Sequence, residues 1–367
     1  MQWQPLIITT DRGLYCPLGE FYIDPWRCDP SMRAITTHAH SDHAKVGCGS
    51  YLCPPSGEAL LRTRLGHGIT VQTHPYGLAH SLRMGGVNIS LLPAGHVLGS
   101  AMVRVSRATP SPSPVNDGGT WLVTGDYKRA ADGVSETAEP CACNTLITES
   151  TFGLPIYRWR PAAVLSDELN RWWQSCQREG RTAVVFCYAL GKAQRIAAMA
   201  DASLGKIMAH GAPLKLCEVY RTCGVALPPI KAVDAAEVKQ LAKSGAASLI
   251  IAPPSADGST WMKKLGDCSR AFASGWMMVR GNRRRRSLDK GLVVSDHCDW
   301  PALLRTIAET NAEHVGVTHG FITPMVRYLT ERGLHAFPVE TRFVGEQDAA
   351  ASDEPVPAEI SGPAADP

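Results

Sequence analysis

The sequence predicts a two-domain α/β protein in which a smaller domain of alternating helices and strands is inserted into a larger, strand-rich one. Three observations carry this reading. Up to about residue 150, short β-rich runs alternate with Gly and Pro turns; from about Pro161 the order becomes helix, strand, helix; after Gly291 an apolar strand, Leu292-Val293-Val294, returns. The larger domain is therefore discontinuous in sequence.

Taken in order, residues 22–23, 34–36, 69–71, 87–92, 101–105 and 120–123 read as strands of a largely antiparallel sheet system. Thr109-Pro110-Ser111-Pro112-Ser113-Pro114 and Asp117-Gly118-Gly119 mark a hairpin tip or surface insertion. Residues 162–178 form an amphipathic helix, 183–186 an apolar strand and 193–202 a second helix, the alternation of a small parallel sheet. A helix near residues 301–310 and a loop at His319 complete the larger domain, and no repeat of solenoid length is visible.

At 367 residues, with 44% hydrophobic and 19% charged content, the chain can bury sizeable cores. It lacks an apolar run long enough to cross a membrane, and its Met1-Gln2-Trp3-Gln4-Pro5 start is not a signal peptide, so a cytoplasmic protein without membrane contact is expected. The 12 cysteines are scattered with no Cys-x-x-Cys pair, which reads as reduced core thiols; Cys141-Ala142-Cys143 reads as a loop with two free thiols. Net charge is +3, but residues 346–367 hold six acids and no base, which leaves about +9 on the preceding body. That acidic tail, rich in Ala and Pro, is expected to be disordered.

The chemistry concentrates in Thr37-His38-Ala39-His40-Ser41-Asp42-His43, after the apolar run Ala34-Ile35-Thr36. In extended backbone His38 and His40 project to one side, and a following turn brings Asp42 and His43 toward a second ion. Nitrogen and oxygen donors without thiolate suit zinc or a similar divalent ion and leave positions open for water. A lone His-x-His is equally a feature of a solvated loop. Here His96 in Pro93-Ala94-Gly95-His96, Asp126 in Val123-Thr124-Gly125-Asp126 and His319 in Val317-Thr318-His319-Gly320 each follow a strand-like run, as ligands on loops at one sheet edge do.

His-x-His-x-Asp-His with separate His, Asp and His positions resembles the metallo-β-lactamase fold. Three more segments resemble the β-CASP nucleases within it: Leu146-Ile147-Thr148-Glu149-Ser150-Thr151 as motif A, Ser295-Asp296-His297 as motif B, and Val317-Thr318-His319-Gly320 as motif C. Phe186-Cys187-Tyr188-Ala189-Leu190-Gly191-Lys192-Ala193-Gln194 is similar to the entry of the β-CASP cap. Within the branch, the length and opening segments resemble bacterial DNA-ligase-associated exonucleases.

The resemblance implies an αββα metallo-β-lactamase sandwich with an inserted β-CASP cap: core residues 1–156, cap 157–289, core 290–345, acidic tail 346–367. It implies two divalent ions, zinc or manganese, one on His38, His40, His96 and Asp126 and one on Asp42, His43, Asp126 and His319. Asp24 matches the acid that supports the ligands from behind. A pair of ions favours in-line phosphodiester hydrolysis, with His297 as general acid and Glu149 orienting it. Lys192 at a helix start and Arg283, Arg284, Arg285 and Arg286 are candidate nucleic-acid contacts; a solvated basic loop is the plain reading of the arginines. The expected activity is DNA exonuclease action in repair, alongside an ATP-dependent DNA ligase and a helicase. A ribonuclease or RNA 3′-end-processing enzyme is the alternative, since the RNA-cutting members carry a histidine at motif C; a small-molecule metallo-hydrolase is a second one.

Overall fold

The computed structural model describes residues 5–109, 119–279 and 288–342. The tail, residues 110–118 and the Arg283 to Arg286 run lie outside the described residues, and so do the expectations placed on them.

Two sheets face each other in the larger domain. The first runs β1 (Ile8–Thr9), β2 (Leu14–Cys16), β3 (Phe21–Ile23), β4 (Arg33–Ile35), β5 (Ser50–Cys53) and β6 (Val71–Thr73) in sequence order. The second contains β7 (Leu82–Met84), β8 (Val87–Pro93), β9 (Ala101–Arg107), β10 (Thr120–Val123) and β11 (Thr145–Ser150). It is completed after the insertion by β18 (His314–Gly320) and β19 (His335–Pro338), in the order β19-β18-β11-β10-β9-β8-β7. Leu14, Ile23, Ile35 and Leu52 from the first sheet meet Ile89, Leu91, Val103, Val105 and Val123 from the second in one buried cluster. Alternate residues of each strand supply that face, which is why short runs suffice.

Helices cover the outer faces. Leu61 of α1 (Pro55–Leu65) packs with Met32, Ala34 and Tyr51 on the first sheet. Leu303 and Ile307 of α7 (Trp300–Glu309) and Met325 and Leu329 of α8 (Ile322–Thr330) pack on Leu122, Leu146, Val315 and Val317 of the second. The layers are thus helix, sheet, sheet, helix.

The inserted domain is a six-stranded, wholly parallel sheet, β14-β13-β15-β12-β16-β17. Its strands are β12 (Thr182–Phe186), β13 (Ile207–Ala209), β14 (Ile230–Ala232), β15 (Leu249–Ala252), β16 (Cys268–Ala273) and β17 (Lys290–Leu292). β12 is buried throughout: Ala183 and Val185 join a cluster with Leu165, Leu169 and Trp173 of α2 (Ala162–Arg178) and Ile196 of α3 (Lys192–Met199), whereas Val184 and Phe186 face Val238 of α5 (Ala235–Lys243) on the other side. A parallel sheet covered on both faces requires such continuous apolar strands. Two further helices, α4 (Gly211–Thr222) and α6 (Thr260–Lys263), belong to this domain.

Three expectations are corrected. The larger domain is only partly antiparallel, because β3 to β6 pair in parallel and so do β10, β11, β18 and β19. Helical and looped crossovers separate these strands, and the outer helices bury the face that a parallel arrangement needs covered. Lys290–Leu292, expected as the return to the core, pairs with β16 and closes the inserted sheet. Cys28 and Cys48 form a disulfide, because the turns flanking β4 bring their Cα atoms within 4.7 Å; Cys141 and Cys143 are free thiols.

Candidate metal centre

β8, β10, β11 and β18 run in one direction, so their C-terminal ends share one edge of the second sheet; β4 of the first sheet ends against the same edge. His38 to His43 follow β4, His96 follows β8, Asp126 follows β10, and Glu149 and His319 lie at the ends of β11 and β18. Gly125 has φ +54°, and a Cβ there would meet the Thr37 side chain at 2.7 Å, so the Asp126 loop reaches the His38 loop only through a glycine. Among the described residues four non-glycine residues have positive φ, and two of them are Asp24 and His319. Left-handed backbone at such positions points to a side chain held where a site needs it.

Every proposed ligand converges. Asp126 Oδ2 lies 3.7 Å from His38 Nε2, 3.5 Å from His43 Nε2 and 3.8 Å from His96 Nε2, while Oδ1 is 3.3 Å from His319 Nδ1. His40 Nδ1 is 3.0 Å from His96 Nε2, and Asp42 Oδ2 is 3.7 Å from His43 Nε2. Two donors held about 2.1 Å from one tetrahedral ion stand roughly 3.4 Å apart, which is the spacing seen here. Ligand atoms of His38, His40 and His96, of His38, Asp42 and His43, and of His43, Asp126 and His319 all fall within 4.8 Å of one another. Asp126 stands at the centre, as a bridging carboxylate would.

The far sides of the His43, His96 and His40 rings are occupied, which fixes their tautomers. An ionised carboxylate only accepts, so His43 Nδ1 donates to Asp24 Oδ2 at 2.7 Å; Asp24 also accepts from the Thr37 amide at 2.7 Å and hydroxyl at 2.5 Å. His96 Nδ1 donates to the Asp296 carbonyl at 2.8 Å, and His40 Nε2 donates to the Leu190 carbonyl of the inserted domain at 3.2 Å. The buried His38 Nε2 has no hydrogen-bond partner among the described residues, an arrangement that costs free energy unless a cation takes the lone pair.

Charge agrees with that fit. Burial, with neighbouring imidazoles, pushes His38 and His96 well below the usual histidine range, and burial lowers His40, so all three rings stay neutral and can ligate. Burial also acts on His43, but Asp42, Asp126 and Asp24 outweigh it and raise its pKa; for His319, Asp126 outweighs burial in the same way. Burial alone would protonate Asp126, yet His43, His319 and His297 hold it ionised. Three carboxylates thus demand more positive charge than the imidazoles supply without losing their lone pairs. The donor set fits divalent cations.

Beside it stands a second constellation. His297 Nδ1 donates to Glu149 Oε2 at 2.8 Å, and Glu149 also accepts from the Tyr127 amide at 2.8 Å and from the Thr151 hydroxyl. The His297 ring centroid is 4.6 Å from that of His96, and His297 is close enough to His96 and Asp126 to share an ion with them. Lys192 opens α3 as expected, but it does not face an open groove. Its side chain is buried, and its Nζ lies 3.3 Å from Asp296 Oδ2, so the reading of Lys192 as a phosphate contact is replaced by an internal ion pair.

No family model matches the chain. Over 338 residues it is 30% identical to a probable DNA ligase of Opitutus terrae, an alignment covering 91% of this chain and 31% of that protein. Over 120 residues it is 33% identical to endoribonuclease YSH1 of Saccharomyces cerevisiae, covering 32% of this chain and 14% of that one. With endoribonuclease ysh1 of Aspergillus fumigatus it shares 32% identity over 140 residues, 36% of this chain and 14% of that one. The chain therefore spans about a third of the length of the first relative and about a seventh of the others. A crystal structure of a protein of unknown function from Enterococcus faecalis superposes with TM-score 0.53 at 11% identity, covering 86% of this chain and 80% of that chain, a likeness of fold.

These likenesses fit a metallo-β-lactamase/β-CASP family. Lys128 and Arg195, two cations at the site, escaped sequence reasoning. Lys128, Lys192 and Arg195 surround the buried Asp296, and Arg195 Nη1 reaches both the Ser295 carbonyl and, at 3.5 Å, Asp296 Oδ1. Asp296 stands within the Ser295-Asp296-His297 segment already singled out, but nothing in the spacing of Lys128 or Arg195 signals that they meet it.

Proposed function

We propose that this chain is a metal-dependent phosphodiesterase acting on nucleic acid, and specifically a DNA exonuclease of a repair system. One observation carries the reading: seven metal-type donors centred on Asp126 stand beside a separate His297–Glu149 pair, a division between charge neutralisation and proton delivery. Two divalent ions, zinc or manganese, held by those donors would supply an acidified water and neutralise charge building on the phosphate.

The protein's own groups do the rest. Asp126 keeps its negative charge between the two ligand sets, and Asp24 holds His43 so that Nε2 faces inward. As water oxygen adds to phosphorus, the bond from phosphorus to the leaving sugar oxygen breaks, and that oxygen takes a proton from His297 Nε2. Glu149 orients the ring and favours its cationic form by proximity.

The ligase-named relative supports DNA as substrate and a ligase as partner; the YSH1 likeness, with His319, supports the ribonuclease reading. End-labelled single-stranded DNA and RNA of one sequence, incubated with the metal-loaded protein and with Asp126→Ala and His297→Ala controls, separate the two. Metal-dependent DNA shortening that both variants lose is expected. Preferential RNA cleavage would transfer the case to RNA processing, and inertness toward both would end the nucleic-acid reading.

A further inference from the structure

Outside His297, the seam between the two domains is lined by aromatic rings from three separate stretches of chain. Phe152 and Tyr157 are buried at its base. The Phe152 ring centroid lies 6.0 Å from His297, 4.8 Å from Trp159 and 4.7 Å from Trp276 of the inserted domain, and Phe321 lies 6.0 Å from Trp276. Trp159, Trp276 and Phe321 are each partly exposed, and Ile156 and Val279, from the same stretches of chain as Trp159 and Trp276, are 57% and 37% exposed. Core packing accounts for the two buried rings. It does not account for three large rings of one cluster reaching the surface next to the group assigned to proton delivery. Trp159 is also tied to that group: its Nε1 donates to the His297 carbonyl and its amide to Asp299 Oδ2, both at 2.8 Å.

We propose that this shelf stacks the nucleobases adjoining the scissile phosphate, which makes an unpaired strand the preferred substrate. The inference rests on the phosphodiesterase reading. In a duplex each base has both faces covered by its neighbours, so only an unstacked base can offer a π face to a protein ring. Stacking is indifferent to base identity, since every base has such a face, and the shelf therefore selects strandedness and not sequence. Its position is continuous with His297, so a strand whose phosphate reaches the metal centre has its next bases over the rings.

Binding by the full chain, metal-loaded, separates this from a role in covering another protein. The probes are a fluorescent single-stranded oligothymidylate with cleavage-resistant phosphorothioate links and an abasic strand of equal length and charge. The oligothymidylate is expected to bind about tenfold tighter than the abasic strand, and Trp276→Leu and Phe321→Leu, on different domains, should each remove most of that difference while leaving abasic binding unchanged. The wild-type comparison needs no variant, and thermal melts identify one that fails to fold. Equal affinity for both strands, or variants that keep the full preference, would overturn the shelf alone and leave the patch to a protein partner. Failure to bind either strand would overturn it together with the nucleic-acid reading.

Discussion

Asp126 and Asp296 approach opposite nitrogens of one ring, His96, yet keep different company. Asp126 reaches His96 Nε2 through its carboxylate and is otherwise surrounded by imidazoles. Asp296 meets His96 Nδ1 through its backbone carbonyl, and its carboxylate lies among fixed cations. Burial raises the pKa of Asp296, but Lys192, Arg195 and Lys128 outweigh it and hold the group far below the ordinary carboxylate range. Imidazoles can shed protons when an ion arrives or a carboxylate is lost; a guanidinium cannot. One buried acid is therefore poised to exchange its counter-charge, while the other is locked into pinning the inserted domain against the ligand it orients.

The contrast is sharpest in the Asp126→Asn variant, which should lose most of its bound metal by elemental analysis and fall to background activity. Its metal-free form should unfold in urea near the wild-type midpoint, because its histidines simply stay neutral; a large loss of metal-free stability would erase the distinction. His297→Ala should retain metal and lose about 10²–10⁴-fold in turnover, the range for a removed general acid. Loss of metal instead would make His297 a ligand. Asp296→Asn strands buried cations and should cost about 3–5 kcal/mol of stability whether or not metal is present; an unchanged urea midpoint would show that the lock is idle. Smallest is Asp24→Asn, which leaves the ligands in place but loosens His43, with metal affinity falling about 10–100-fold by competition with a chelator. Unaltered affinity would remove Asp24 from the centre.

The parts legible in sequence are those written locally. His38, His40, Asp42 and His43 announce themselves by spacing, α2 is readable to its last residue from apolar periodicity, and strand-like runs before His96, Asp126 and His319 mark one sheet edge. Strand direction is not legible, because the pairing partner of a run such as β4 is set by a crossover whose path the run does not contain. Nor is the burial of Lys192, since a lysine opening a helix looks the same in sequence whether it meets solvent or an aspartate some hundred residues later. The Cys28–Cys48 pairing is hidden for the same reason: it depends on two turns meeting.

The place of β18 has a further consequence for the order in which the molecule can assemble. β18 lies between β11 and β19, and the whole inserted domain separates it from β11 in sequence. A chain emerging from its N-terminus thus leaves β11 as an open edge, an invitation to wrong pairing, until residues 314–320 arrive. The inserted sheet, whose strands are all contained within residues 182–292, can form in the meantime and shorten the effective gap that β18 must close. Protection of β11 amides from exchange should accordingly appear late in refolding, together with that of β18. His319 arrives on that same strand, so a nascent chain acquires its full ligand set only when almost all of the body has been made.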